Sequence, residues 1–182
     1  MKRVILSKDK EDLILPSWLT SIGIEVLPPT TKMDSWIDGL IIGGGATDKE
    51  RDKIELELID NAIKNRIPVL GICRGAEMIT TWARGILVPF TGNALANHKG
   101  AWHKVLFSDL LNLDKLDVWS NHHLRIENPG TLKPIAFAED GSIEAIADPK
   151  RRILGVLWHP ERSGEVGLIS VLPWLKWIEK RF

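Results

Sequence analysis

The chain has 182 residues, 44% hydrophobic and 26% charged, a balance that buries an ordinary core and excludes disordered and collagen-like classes. Its 24 Lys and Arg offset 24 Asp and Glu, so the broad positive field that nucleic acid or an anionic membrane requires is absent. No apolar run approaches the roughly 20 residues that span a bilayer. The basic N-terminus precedes too short an apolar stretch for a secretory signal, and the lone Cys73 allows no internal disulfide, so a cytoplasmic protein is expected. In chain order, Val4–Leu6 reads as a first strand and Glu11–Ile22 as a helix whose early part is weakened by Pro16. Ile24–Leu27 is a strand stopped by Pro28 and Pro29, and Gly39–Ile42 is another, ending in Gly43, Gly44 and Gly45. Asp48 is placed to cap a long helix over Lys49–Asn65, with Ile54, Leu56, Leu58, Ile59 and Ile63 on the buried side. Pro68–Ile72 is a strand running directly into a helix from Cys73. From Gly85 to Ile126 the pattern loosens into short β pieces at Ile86–Val88, Val105–Phe107 and Val118–Trp119. Asp140 and Gly141 turn a hairpin between Ile135–Ala138 and Ile143–Ile146, Ile153–Trp158 is a last strand, and a helix over Gly167–Lys180 closes the chain. Alternating strands and helices predict one α/β domain over residues 1–182 with a mostly parallel sheet and a small antiparallel addition.

Chemistry concentrates where strands end. Gly71-Ile72-Cys73-Arg74-Gly75 between a strand and a helix has the form of a nucleophile elbow with a thiol in place of a hydroxyl. The helix start is expected to lower the thiol pKa. Among His98, His103, His122, His123 and His159, the last follows the final strand and precedes Pro160 and Glu161, at the sheet edge where α/β enzymes place their sites. His159 is then the base for Cys73, and Glu161 the carboxylate that orients it. Donors for a developing oxyanion are expected from the Arg74 N–H and the glycine turn at Gly44 or Gly45. His98, His103 and His122 lack the paired spacing of a zinc site, so neither a metal nor any other cofactor is expected. Trp18, Trp174 and Trp177 read as helix-face packing.

With these blocks in order, the sequence resembles the class I glutamine amidotransferase superfamily, and within it the gamma-glutamyl hydrolase-like branch. The resemblance covers almost the whole chain and rests on Gly39–Gly45, Pro68–Gly75, Ser120-Asn121-His122-His123 and Gly155–Glu161. It implies a flavodoxin-like three-layer sandwich in which Cys73 attacks a gamma-glutamyl amide to form a thioester, His159 shuttles the proton, and Glu161 orients His159. It also implies substrate-side roles for Gly44, Glu77, His103, Ser120, His122 and His123, with at most one of the adjacent histidines reaching ligand. Glu77 departs from the glutamine usual in the family, and a carboxylate cannot donate as an amide does. The compact relatives it is similar to imply hydrolysis of a nucleotide-linked gamma-glutamyl amidate in surface polysaccharide pathways. The alternatives are a glutaminase subunit passing ammonia to a separate synthase partner, and a non-catalytic binding protein. A homodimer also stays open.

Overall fold

Side chains along a strand alternate between faces, and in β1 (Lys2–Ser7) that alternation already defines two cores. Val4 and Leu6 join one cluster with Leu15, Leu19, Trp174 and Ile178, whereas Ile5 joins another with Leu58, Ile59, Ala76 and Ile79. The computed structural model describes residues 1–30, 33–92, 94–108 and 115–180. After β1 come α1 (Ile14–Ser21), β2 (Ile24–Leu27), β3 (Gly39–Ile42), α2 (Lys49–Lys64), β4 (Val69–Ile72), α3 (Arg74–Trp82), β5 (Ile86–Pro89), α4 (Ala94–His98), β6 (Lys99–Phe107), β7 (Lys115–Asn121), β8 (Leu124–Asn128), β9 (Lys133–Ala138), β10 (Ile143–Asp148), β11 (Ile153–Val156), a 3-10 turn at Pro160–Arg162, α5 (Gly164–Ser170) and α6 (Leu172–Glu179). One sheet runs β2-β1-β3-β4-β11-β10-β9-β6-β7, with β8 paired to β10 and β5 to β8. Helices α1 and α6 cover one face, α2 and α3 the other, so the three layers stand.

The expected mostly parallel sheet is corrected. The pairings β1·β2, β1·β3, β3·β4 and β4·β11 are parallel, but every pairing among β5 to β10, and β10·β11, is antiparallel. A parallel pairing needs a crossover of about a dozen residues or more, and the second half of the chain has mostly turns between its strands. β8 went unread although Leu124-Arg125-Ile126-Glu127 alternates apolar and polar residues.

Local chemistry also moves the helix boundaries. The Asp12 carboxylate accepts from the Ile14 and Leu15 N–H groups, starting α1 later than Glu11 and leaving Pro16 in the first turn, where its missing N–H costs nothing. Asp48 caps α2 as expected, accepting from Glu50 N at 2.9 Å and Arg51 N at 3.1 Å. The closing helix is two helices, divided at Val171 with Pro173 in the first turn of the second. In α2 the buried stripe runs through Glu55, Leu58, Ile59 and Ala62, not through Ile54, which is exposed. A glutamate therefore sits in phase with the apolar face. Among the described residues no helix is long and apolar enough to cross a membrane.

Candidate active site

The fully buried β3, β4 and β11 lie side by side, so their C-terminal ends converge. Cys73 stands between β4 and α3 with φ 53° and ψ −113°, a backbone state costly for any residue bearing a Cβ. That strain lifts the thiol off the strand end, and it is held there because the Cys73 N–H donates to Val156 O on β11 at 2.8 Å. His159 follows β11. Its Nδ1 is 2.6 Å from Glu161 Oε1, and its backbone N–H donates to Trp119 O on β7 at 2.8 Å. The Trp119 ring meets the imidazole edge-on at 5.3 Å, and Ser163 Oγ donates to His159 O while accepting from Trp119 N. The imidazole is thus braced from three directions, with its Nε2 left for chemistry.

Cys73, His159, Gly44, Gly45, Asn121, Arg162 and the acidic Asp9, Glu11 and Asp12 line one cavity of about 350 Å³. Gly44 is a close neighbour of both side chains: a Cβ built there would lie 3.2 Å from His159 Cε1 and 3.7 Å from Cys73 Cβ. Cys73 Sγ is 3.7 Å from Asn121 O. The expectation of a lowered thiol pKa is overturned. Burial pushes the Cys73 thiol up to about 12, Glu77 adds to it, and Glu161 and Glu144 contribute further, against an opposing hydrogen bond from the Arg74 N–H. The helix start is outweighed by the low dielectric and the surrounding carboxylates.

Beneath the glycine turn lies a buried charge network that the sequence reading missed. Glu55 accepts from Ser7 Oγ at 2.7 Å, Arg51 Nε at 2.8 Å and Arg74 Nη1 at 2.6 Å, and Arg74 also pairs with Asp52. Arg51 Nη2 then donates to Gly44 O at 3.0 Å and Gly43 O at 3.3 Å. The side chain next to Cys73 therefore anchors α2 under the site, and α2 fixes the turn that faces the thiol. The signal in the sequence was Glu55 itself, spaced with Leu58, Ile59 and Ala62 on one helical stripe.

The other residues singled out from sequence fall elsewhere. Glu77 does not line this cavity, and burial raises its carboxyl pKa although His122 and His123 nearby pull the other way. His123 is exposed and His122 is buried. Ser120, also buried, shares a 2.8 Å hydrogen bond with His103 Nε2. His103 and His122 face Glu144 on β10, and with His98 their ligand atoms and that of Glu144 all lie within 4.8 Å of one another. Linear spacing gave no such grouping, but the topology brings these three histidines and the glutamate together from α4, β6, β10 and the residue after β7.

Comparison with known proteins gives the site its relatives. A family model described as Peptidase C26 matches residues 39–161. A gamma-glutamyl-CDP-amidate hydrolase from Campylobacter jejuni is 35% identical over 68% of this chain, and the chain spans 58% of that protein's length. A glutamine-hydrolysing GMP synthase subunit from Methanoregula boonei is 33% identical over 76% of this chain and 73% of its own. In fold, the crystal structure of a putative GMP synthase subunit from Thermoplasma acidophilum covers 98% of this chain and 94% of its own with a TM-score of 0.78, at 18% identity. A match that spans the strands and turns carrying Gly44, Cys73, His159 and Glu161 means that the chain belongs to the Peptidase C26 family, which is class I glutamine amidotransferase-like.

Proposed function

We propose that the protein hydrolyses the amide bond of a gamma-glutamyl compound through a thioester on Cys73. The observation that carries this reading is the His159–Glu161 pair at 2.6 Å, set in the same cavity as a thiol on a strained strand-to-helix turn. His159 Nε2 takes the Cys73 proton as sulfur attacks the gamma-carbonyl, and it returns that proton to the leaving amine as the C–N bond breaks. Glu161 on Nδ1 stabilises the imidazolium formed between these steps. The Arg74 N–H and the backbone of the Gly44–Gly45 turn donate to the oxyanion. Water, deprotonated by the same His159, then releases glutamate and restores the thiol. Asp9, Glu11 and Asp12 on the cavity wall, with Arg162 opposite in charge, suit the ammonium and carboxylate of an α-amino acid head. Similarity to the Campylobacter hydrolase extends the reading to a nucleotide-linked amidate as substrate.

A second reading is favoured by the relatives that are GMP synthase subunits: the same chemistry on glutamine, with ammonia passed to a separate synthase. The test is intact-protein mass spectrometry after incubation with a glutamine-mimicking diazoketone, beside amine release from a panel of gamma-glutamyl amides. The expected result is one adduct, located on Cys73, with cleavage by the isolated chain. Adduct formation with no amide cleaved unless a synthase is added supports the second reading, and no adduct at all refutes both.

Gly44 offers a sharper probe of the geometry. A methyl group there reaches towards His159 Cε1 and Cys73 Cβ without meeting backbone. Gly44→Ala is expected to leave the urea unfolding midpoint nearly unchanged and to lower kcat by about 100-fold through misplacement of the reacting groups. Wild-type kcat in this variant would show that the scissile bond sits elsewhere.

A further inference from the structure

We propose that His98, His103, His122 and Glu144 form a closed zinc site beside the catalytic cavity. His98 and His122 are 1% and 2% exposed, Glu144 is fully buried, and the partly buried His103 keeps 9% of its side chain exposed. Their atoms meet at the right scale. His98 Nδ1 lies 3.1 Å from Glu144 Oε1, and His122 Nε2 and His103 Nε2 lie 3.5 and 3.6 Å from Glu144 Oε2. Zinc bonds to nitrogen and carboxylate oxygen of about 2.0–2.1 Å, arranged tetrahedrally, separate ligand atoms by about 3.3 Å.

The outer contacts fix which nitrogens face inward. His122 Nδ1 is 2.9 Å from Leu124 O, a carbonyl that can only accept, so the ring proton sits on Nδ1 and Nε2 turns to the centre. His98 Nε2 is 3.0 Å from the Asp140 carboxylate, which likewise holds the proton there and directs Nδ1 inward. Carboxylate and carbonyl partners on the far ring nitrogen are what orient zinc-binding histidines. His103 Nε2 is shared with Ser120 Oγ and would give up that bond. Phe90 stacks on His98 with ring centroids 4.2 Å apart, holding the ring in place.

The centre of this cluster asks for a cation. His98 Nδ1, His122 Nε2 and both Glu144 oxygens, which approach each other closely, are buried and find no hydrogen-bond partner among the described residues, and the same holds for His103 Nδ1 on the outer side of its ring. Glu144 faces His98 Nδ1 and His122 Nε2 at once, and either protons on those nitrogens or one shared cation can join them; with His103 Nε2 alongside, the four groups make a complete set for the cation. Three imidazoles and one carboxylate suit zinc among the divalent ions, and four protein ligands leave no open position. The site is therefore structural: it pins α4, β6, β10 and the end of β7, whose Asn121 carbonyl lies against the Cys73 sulfur.

The test uses the untagged chain, stripped with a chelator and titrated with zinc, read by elemental analysis, thermal unfolding and zinc K-edge absorption. Wild type and Cys73→Ala are expected to bind about one zinc each, with a melting temperature that climbs with zinc concentration. Glu144→Gln should lose the bound metal. Asp140→Asn keeps an oxygen for Ser142 and lies at the surface, so it should fold and bind zinc about 10- to 100-fold more weakly. The absorption edge should show nitrogen and oxygen ligands only. No zinc in the wild type and no shift in melting overturn the site. So does a sulfur ligand at about 2.3 Å, or zinc lost in Cys73→Ala and retained in Glu144→Gln, since either result places the metal on the nucleophile instead.

Discussion

His159→Gln is expected to lower amide turnover at pH 7 by about 10⁴- to 10⁵-fold, and the deficit should shrink by about tenfold for each pH unit added. Both numbers follow from the buried thiol. With its pKa pushed to about 12, Cys73 is a thiolate in only about one molecule in 10⁵ at pH 7. In the proposed mechanism wild type escapes this because His159 removes the proton as sulfur attacks, whereas the variant must wait for the rare thiolate. The sign is fixed by the direction of the shift. A raised thiol pKa keeps the neutral form across the working range, so alkali helps the variant until about pH 12 and helps the wild type little. Rates of the two proteins between pH 7 and 10 check this, with Cys73→Ala as the blank. A loss of under about tenfold, or a deficit that stays constant with pH, would mean that another group deprotonates Cys73.

Much of this arrangement was legible in one sequence because the relevant residues are neighbours in it. Gly71 to Gly75, the three glycines after β3 and Trp158-His159-Pro160-Glu161 each carry their local geometry in a few positions, and alternating strands imply that their ends share one edge. What stayed hidden is relational. The thiol pKa depends on Glu77, Glu144 and Glu161 gathering round a buried sulfur, which a helix-dipole argument cannot see. The apolar positions alone defined the buried side of α2, and the place of Glu55 on that stripe follows only from α2 packing on β3 and α3. Likewise His98, His103, His122 and Glu144 come from four segments, and their meeting depends on antiparallel pairings of β6 with β7 and β9, and of β9 with β10. The same pairings were undercounted in the sheet, so the error in the fold and the omission at the cluster share one origin.

Gly75→Ala is expected to destabilise the protein by about 3 kcal/mol or more and to strip it of soluble, folded material at ordinary growth temperature. The reason is backbone against backbone. A Cβ at residue 75 would overlap Ile42 O and lie 2.6 Å from Ile42 C, where α3 passes the end of β3. No rotamer change relieves that contact. Only a shift of α3 or β3 can, and both elements are tied down, α3 by buried Arg74 to Glu55 and β3 by pairing to β1 and β4. Gly71 repeats the constraint from the other side, since a Cβ there would fall 2.5 Å from Gly75 O. The elbow is thus a place where three chain segments approach as closely as atoms permit, and that closeness is what forces Cys73 into its strained turn. Chemical denaturation of any soluble fraction, followed by tryptophan fluorescence, measures the loss. A Gly75→Ala protein with a wild-type unfolding midpoint would mean that the helix can move away from β3, and Cys73 would then reach its position without the glycine contact that sets it.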